Sequence, residues 1–210
     1  MNYRQIIITT IILLLFTVIG ATMVALTYEG TREQIAANER ATLLRKLNQL
    51  IPAGSYDNAL LDDHVTFSQA GLPEKHSRQI AYRARMGDRP VALVMTAVAP
   101  DGYSGNIKLL VGIRADNTLS GVRVVAHRET PGLGDAIDEQ RSDWIRGFDG
   151  RSLHDPATER WAVKKDGGDF DQLTGATITP RAIVAAVRQA LLYYHANREF
   201  LFGIAPGTRP

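Results

Sequence analysis

An α+β domain behind a membrane helix is the fold class that this sequence of 210 residues predicts. Three observations carry the prediction. A long uncharged apolar run opens the chain, from Gln5 to Tyr28. From Ile80 onward the apolar residues recur with a period of two, in short runs separated by turn residues, which is the pattern of an antiparallel sheet. After Pro180 the period lengthens again: Ile183, Val184, Val187, Leu191 and Leu192 mark one face of a helix that can cover the sheet.

The first element is the anchor. Ile6–Leu26 is almost wholly apolar, and at 1.5 Å per residue it spans about 30 Å, the thickness of a bilayer core. A cleaved signal peptide is the rival, since Ala21 and Ala25 are small, but its apolar region runs to only about 7–15 residues. The length favours an uncleaved transmembrane helix. Thr17, Ala21 and Ala25 form a ridge of small residues, either a close-packing face or incidental positions on a lipid-facing helix. Arg4 alone precedes the span, whereas Arg32, Arg40, Arg45 and Lys46 follow it. By charge the domain behind it leans weakly to the cytoplasmic side.

Next, Thr31–Ile51 carries Ile35, Leu43, Leu44, Leu47 and Leu50 at helical spacing, and Pro52-Ala53-Gly54 stops it. Residues 55–78 are mixed and polar and read as solvated loop with one short strand. His64 and His76 stand too far apart to suggest a metal site. Ile80–Arg85, Val91–Ala99, Ile107–Arg114 and Leu119–Ala126 are then read as strands, bounded by Gly87-Asp88, Ala99-Pro100-Asp101-Gly102 and Asp116-Asn117. A helix is expected within Ile137–Gly147, bearing Trp144 and Ile145, and a last strand near Trp161–Lys164.

Composition sets the bounds on chemistry. The apolar fraction of 45% and charged fraction of 22% are those of a globular chain. A net charge of +2 without a basic run gives no reason to expect nucleic-acid binding. The chain has no cysteine, so disulfides, thiolate zinc sites and cysteine-held iron–sulfur clusters are excluded. Gly132-x-Gly134 lacks the third glycine of a dinucleotide fingerprint, and Ser104 does not sit in a Gly-x-Ser-x-Gly nucleophile turn.

The most informative stretch is Asp171-Gln172-Leu173-Thr174-Gly175-Ala176-Thr177, followed by Ile178-Thr179-Pro180. Thr179 is placed to be an N-cap with Pro180 at the first helical position. Gly175 and Ala176 allow close approach to the backbone, and the helix start offers free N–H groups to an anion. On composition alone this is an ordinary capped helix after a glycine turn; a phosphate site is the functional alternative.

The stretch resembles the Asp-x-x-(Ser/Thr)-Gly-Ala-Thr signature recognised by flavin transferases. Gly102-Tyr103-Ser104-Gly105 and His127-x-Glu129-Thr130-Pro131-Gly132-Leu133-Gly134 extend the resemblance. Together with the anchor, and in that order, they are similar to the FMN-binding subunits of two related membrane complexes. These are the G subunit of the Rnf-type electron transport complex and the C subunit of the sodium-pumping NADH:quinone reductase; the compact length is closer to the former. The resemblance covers nearly the whole chain.

The resemblance implies that FMN is attached through its phosphate to Thr177. A magnesium-dependent flavin transferase would use FAD as donor and release AMP. Thr177 is then a substrate for modification and no catalyst: no His or Lys lies within the motif to activate its hydroxyl. Asp171, Thr174, Gly175 and Ala176 complete the attachment motif. Tyr103, Ser104, Glu129, Thr130, Gly132 and Leu133 are the remaining cofactor-site candidates.

Each of these has a plain alternative. Pro131, Gly132 and Gly134 suit a structural turn, although a glycine-rich loop also leaves room for a flat ring that Leu133 could cover. Glu129 is either a hydrogen-bond acceptor for a ligand or a solvated acid after a strand. His127 is either a packed or solvent-facing histidine or a functional one. Tyr103 and Trp144 are core or rim aromatics, or flavin contacts.

The implied organisation is an anchor at 1–28, a membrane-proximal helix and loop at 29–78, and an FMN-binding domain at 79–210. The resemblance also places that domain on the outer face of the cytoplasmic membrane, against the lean of the charges. The expected role is an electron-carrying flavoprotein subunit that works with other membrane subunits of its complex, and no stand-alone enzyme. A non-redox scaffolding subunit and a free-standing membrane-anchored flavin reductase are the competing readings.

Overall fold

The computed structural model describes residues 3–68 and 78–203; His76 and most of the loop before the second strand lie outside them. The chain divides into two compact units, Met1–Arg45 and Lys46–Pro210. The first helix, α1, runs from Tyr3 to Leu50 without a break. Two sequence-predicted helices are therefore one. The junction carries a single glycine, Gly30, which costs a helix only about 1 kcal/mol. Thr27 and Thr31 donate their hydroxyls back to the carbonyls of Met23 and Thr27, both at 2.8 Å, so neither diverts the backbone. Among the described residues α1 is the one helix long and apolar enough to cross a membrane.

The second unit is built on a five-stranded antiparallel meander: β1 (His64–Ser68), β2 (Arg78–Met86), β3 (Arg89–Ala99), β4 (Ile107–Arg114) and β5 (Leu119–Ala126), paired in chain order. The α+β class and the four expected strands are as the sequence predicts, and β1 is the short strand anticipated in the polar region. The hairpin turns carry the residues that left-handed backbone demands. Gly87 (φ 58°) joins β2 to β3, and Asn117 (φ 71°) joins β4 to β5.

Alternation assigns the two faces. Leu93, Met95, Ala97 and Ala99 of β3, with Ile107, Leu109, Val111 and Ile113 of β4, point into the main core. There they meet the C-terminal helix, α2 (Ile178–Phe202), through Ile183, Val184, Val187, Leu191 and Tyr194. Leu47, Leu50 and Ile51 are buried as well. A Cβ on Gly112 would lie 3.1 Å from Leu50 Cβ, and one on Gly121 3.1 Å from Leu50 Cδ2. Gly112 and Gly121 are cross-strand partners, so this bare glycine pair makes the seat for Leu50.

Two expected elements are replaced. In place of a helix over Ile137–Gly147 there are two 3-10 turns, Gly134–Ile137 and Trp144–Phe148. Ser142 separates them: its hydroxyl donates to Ala136 O at 2.5 Å and accepts from Trp144 N–H at 3.2 Å, offering the backbone an alternative to helix. In place of a strand near Trp161–Lys164 there is a single bridge between Val163 and Phe170. The turn Lys164–Asp166, closed by left-handed Gly167 (φ 85°), sends the chain straight back on itself.

That irregular segment is held by aromatic rings. Phe148 and Phe170 stack at 4.7 Å, Trp161 lies 4.9 Å from Phe170, and Trp144 meets Phe148 edge-on at 5.6 Å.

Candidate functional site

Three loops meet at one end of the sheet and enclose a cavity of about 450 Å³, within the range of small-molecule sites. The β3–β4 connection supplies Tyr103, the segment after β5 supplies Glu129, Thr130, Leu133 and Gly134, and the approach to α2 supplies Gly175, Ala176, Thr177, Ile178 and Thr179. The three sequence stretches singled out above are thus adjacent in space.

The Gly175 turn follows from its residues. Ala176 N–H donates to Leu173 O at 3.1 Å across Thr174 and Gly175, and Gly175 has φ 77°, as the third position of such a turn requires. A Cβ there would lie 3.2 Å from Leu133 Cδ2, so a side chain would be both strained and crowded. The facing loop is equally tight. Thr130 O accepts from the N–H groups of Leu133, Gly134 and Asp135, and Gly132 (φ 78°) donates its N–H to Asp135 Oδ1 at 2.7 Å.

The helix start differs from the sequence expectation. α2 begins at Ile178 with Thr177 as its N-cap residue, and no side-chain cap bond is made there. Thr179, expected as the cap, lies inside the first turn and is fully buried. Its hydroxyl donates to Glu129 Oε2, which removes it from capping. Pro180 still falls in the first turn, where a missing N–H costs nothing.

Glu129 is buried, with 4% of its surface exposed, and is not a solvated acid. Oε1 accepts from Ser104 N–H at 3.0 Å, Oε2 accepts from Thr179, and its own N–H donates to His127 Nδ1 at 3.1 Å. His127 is half-buried, and the bond that its Nδ1 accepts helps to orient this loop.

Of the sequence-predicted site residues, Tyr103, Glu129, Thr130, Leu133, Gly175, Ala176 and Thr177 line the cavity. Ser104, Gly132, Thr174 and Asp171 do not; they shape the loops behind it. Asp171 is exposed and pairs with Lys164 Nζ at 2.6 Å, while its carbonyl accepts from Trp144 Nε1 at 2.6 Å. Trp144 thus braces the motif from outside the cavity. Beside the helix start Arg181 forms a two-point pair with Asp166, which holds that carboxyl below the usual carboxylate range. Gly134, Ile178 and Thr179 complete the lining without having been singled out as cofactor contacts. The apolar period of α2 and the glycine spacing of the Glu129–Gly134 loop were the signals that could have found them.

The enclosure fits a flat cofactor with an anionic arm. Tyr103, Leu133 and Ile178 are large apolar side chains left exposed, at 69%, 46% and 46%, and all three stand on the wall of this one cavity. The Thr177 hydroxyl lies at the opening of α2, where the helix dipole favours negative charge.

Comparison with known proteins agrees. Residues 102–192 match the FMN-binding domain, a span that contains all three cavity loops, and residues 1–50 match the RnfG N-terminal region. The G subunit of the ion-translocating oxidoreductase complex from Pseudoalteromonas atlantica is 52% identical over 199 residues, 95% of this chain and 93% of the relative. The G subunit of the same type of complex from Pseudomonas aeruginosa is 50% identical over 198 residues, covering 94% of this chain and 92% of its own. That from Vibrio cholerae is 45% identical over 191 residues, 91% of each chain. Identity of this extent over nearly the full length, through the anchor and the cavity loops alike, places the chain in the family of G subunits of the ion-translocating oxidoreductase complex, with an FMN-binding domain at residues 102–192.

Proposed function

We propose that this chain is the membrane-anchored flavoprotein subunit of such a complex and carries FMN esterified through its phosphate to Thr177. The observation that supports it most is the position of Thr177: a half-buried threonine at the N-cap of α2, uncommitted to capping, on the wall of an apolar-rimmed cavity within the FMN-binding domain. A separate flavin transferase makes the linkage. The Thr177 oxygen replaces AMP on the phosphorus of FAD's FMN half, the pyrophosphate bond breaks, and the hydroxyl proton leaves to solvent or a transferase base. Asp171, Thr174, Gly175 and Ala176 present the acceptor.

The chain's own residues then do the positioning. Leu133, Ile178 and Tyr103 would offer apolar contact to a ring, and the start of α2 would favour the negative charge of the phosphate. Thr130, Gly132 and Ser104 fix the loops that carry those contacts. FMN, when bound, supplies one- and two-electron chemistry, and covalent attachment keeps its local concentration high. A fluorescent band that survives denaturing electrophoresis after co-expression with a flavin transferase tests the reading. Co-purification of other membrane subunits separates a component of a complex from a stand-alone reductase.

Residues 1–28 serve as the anchor, 29–78 as the membrane-proximal region and 79–210 as the flavin domain, held on the periplasmic side of the cytoplasmic membrane. Two expected outcomes check this placement. The intact chain stays with membranes through a carbonate wash, and a chain beginning near Thr31 is soluble and folded; release of the full chain by the wash overturns the anchor. A reporter fused after Pro210 is active when it requires export and silent when it requires the cytoplasm. The reverse pattern means that Arg32, Arg40, Arg45 and Lys46 set the topology.

A further inference from the structure

We infer that Glu129 is a positioning residue, a buried latch whose carboxylate binds the Gly102–Gly105 loop to the first turn of α2 and thereby sets the distance between Tyr103 and Thr177. The inference rests on the reading of the cavity as the flavin site, but its central test does not need flavin.

The two donors to Glu129 lie 25 residues before it and 50 residues after it. One carboxylate therefore ties together all three loops of the cavity. A buried carboxylate is costly unless its oxygens are satisfied, and here both are. The loops are shaped to close on it. A Cβ at Gly102 would lie 3.0 Å from Glu129 Oε1, and one at Gly134 2.9 Å from Glu129 Cβ. Gly134, which sequence reasoning assigns to a turn or to room for a ring, is therefore needed for closure onto the acid; at Gly102 a side chain would meet Gly105 O first, at 2.3 Å, and the acid next. Ser104 and Thr179 make the same point. Ser104 contributes its backbone N–H, and Thr179 gives up capping to contribute its hydroxyl. Tyr103 is the neighbour of the first, and Thr177 stands two residues before the second.

The test compares the full chain in detergent micelles with Glu129→Ala, Glu129→Gln and Thr179→Val. Amide exchange over residues 102–106 is followed in flavin-free protein, and the rate of covalent FMN attachment is measured with purified transferase, FAD and magnesium. In Glu129→Ala the segment is expected to exchange at least tenfold faster while β4 keeps its protection, and attachment slows at least tenfold. Glu129→Gln retains attachment within threefold of the original chain, because the amide oxygen still accepts from Ser104 and its NH2 can donate to a reoriented Thr179 hydroxyl. Thr179→Val accelerates exchange over 102–106 about threefold, although Thr179 belongs to α2, because the carboxylate loses one of its two anchors.

Unchanged exchange over 102–106 in a folded Glu129→Ala overturns the latch. So does a Gln variant as poor as Ala, which would make the charge the operative property. If Glu129→Ala does not fold, Thr179→Val decides: exchange at the original rate in that variant also overturns it. Failure of the flavin reading shows separately, as absence of covalent flavin in the unsubstituted chain.

Discussion

Thr177→Ala is expected to contain no covalent flavin, with no mass increase from FMN and no fluorescence after denaturation, while the fold stays intact. The first half follows from chemistry: without the hydroxyl there is no oxygen to form the phosphoester. The second follows from the structure. Thr177 makes no side-chain cap bond and is half-buried, so replacing it by alanine costs at most about 1 kcal/mol. Thr177→Ser is expected to retain part of the attachment, since the hydroxyl remains while the methyl that restricts its rotamer is gone. Gly175→Val should impair attachment with the acceptor still present, because a β-branched side chain is strained at φ 77° and its Cβ would crowd Leu133 at 3.2 Å. Thr174→Ala should act less on the chemistry, since Thr174 is exposed on the turn and does not line the cavity. Peptide mapping by mass spectrometry is the deciding measurement. Flavin retained in Thr177→Ala, or located on Thr174 or Thr179, overturns the assignment.

What could be read in the sequence depended on how local the determining interactions were. Strands β2 to β5 were legible because a two-residue period and turn residues such as Gly87 and Asn117 are local signals. The end of α1 before Pro52 and the apolar face of α2 were legible for the same reason. Glu129 was not. An acid soon after a strand reads as solvated, and only its donors from Ser104 and Thr179, distant along the chain, reveal a buried carboxylate. The start of α2 was misplaced through the same bond, since the Thr-Pro pair is a local cap signal and Glu129 is not local to it. Nor could the sequence show that Arg83 and Arg85 of β2 donate to Leu201 O and Phe202 O at the far end of α2, where helix carbonyls lack partners. The motif resemblance identified all three cavity loops, and their contact with each other came from the sheet that carries two of them and the helix that begins with the third.

The hardest part to read was the segment from His127 to Thr177, which carries seven of the ten residues that line the cavity and almost no regular structure. Its order rests on Phe148, and Phe148→Ala is therefore expected to be the most destabilising single truncation in it. Phe148 is fully buried, stacks on Phe170, lies 6.2 Å from Trp161 and receives the edge of Trp144. Removing a buried phenyl ring costs about 3–5 kcal/mol through lost transfer energy and the cavity left behind. For a unit of this size that lowers the thermal midpoint by roughly 6–20 °C. Phe148→Leu keeps most of the volume and is expected to cost less than half as much, although it forfeits the stacking contribution. The effect should reach the attachment site. Trp144 holds the carbonyl of Asp171, the first residue of the modification motif, and loses its packing partner when the ring goes. Near-UV circular dichroism, which follows Trp144 and Trp161, reports the loss, and flavin attachment measured below the midpoint reports its consequence for Thr177. The expected pattern is the converse of Thr177→Ala: a weakened fold that still acquires flavin, more slowly, on the molecules that remain folded. A Phe148→Ala domain that melts within 2 °C of the original, a margin below the roughly 2–4 °C expected per kcal/mol, would show that backbone bonds such as Lys164 N–H to Phe170 O hold this segment without the rings.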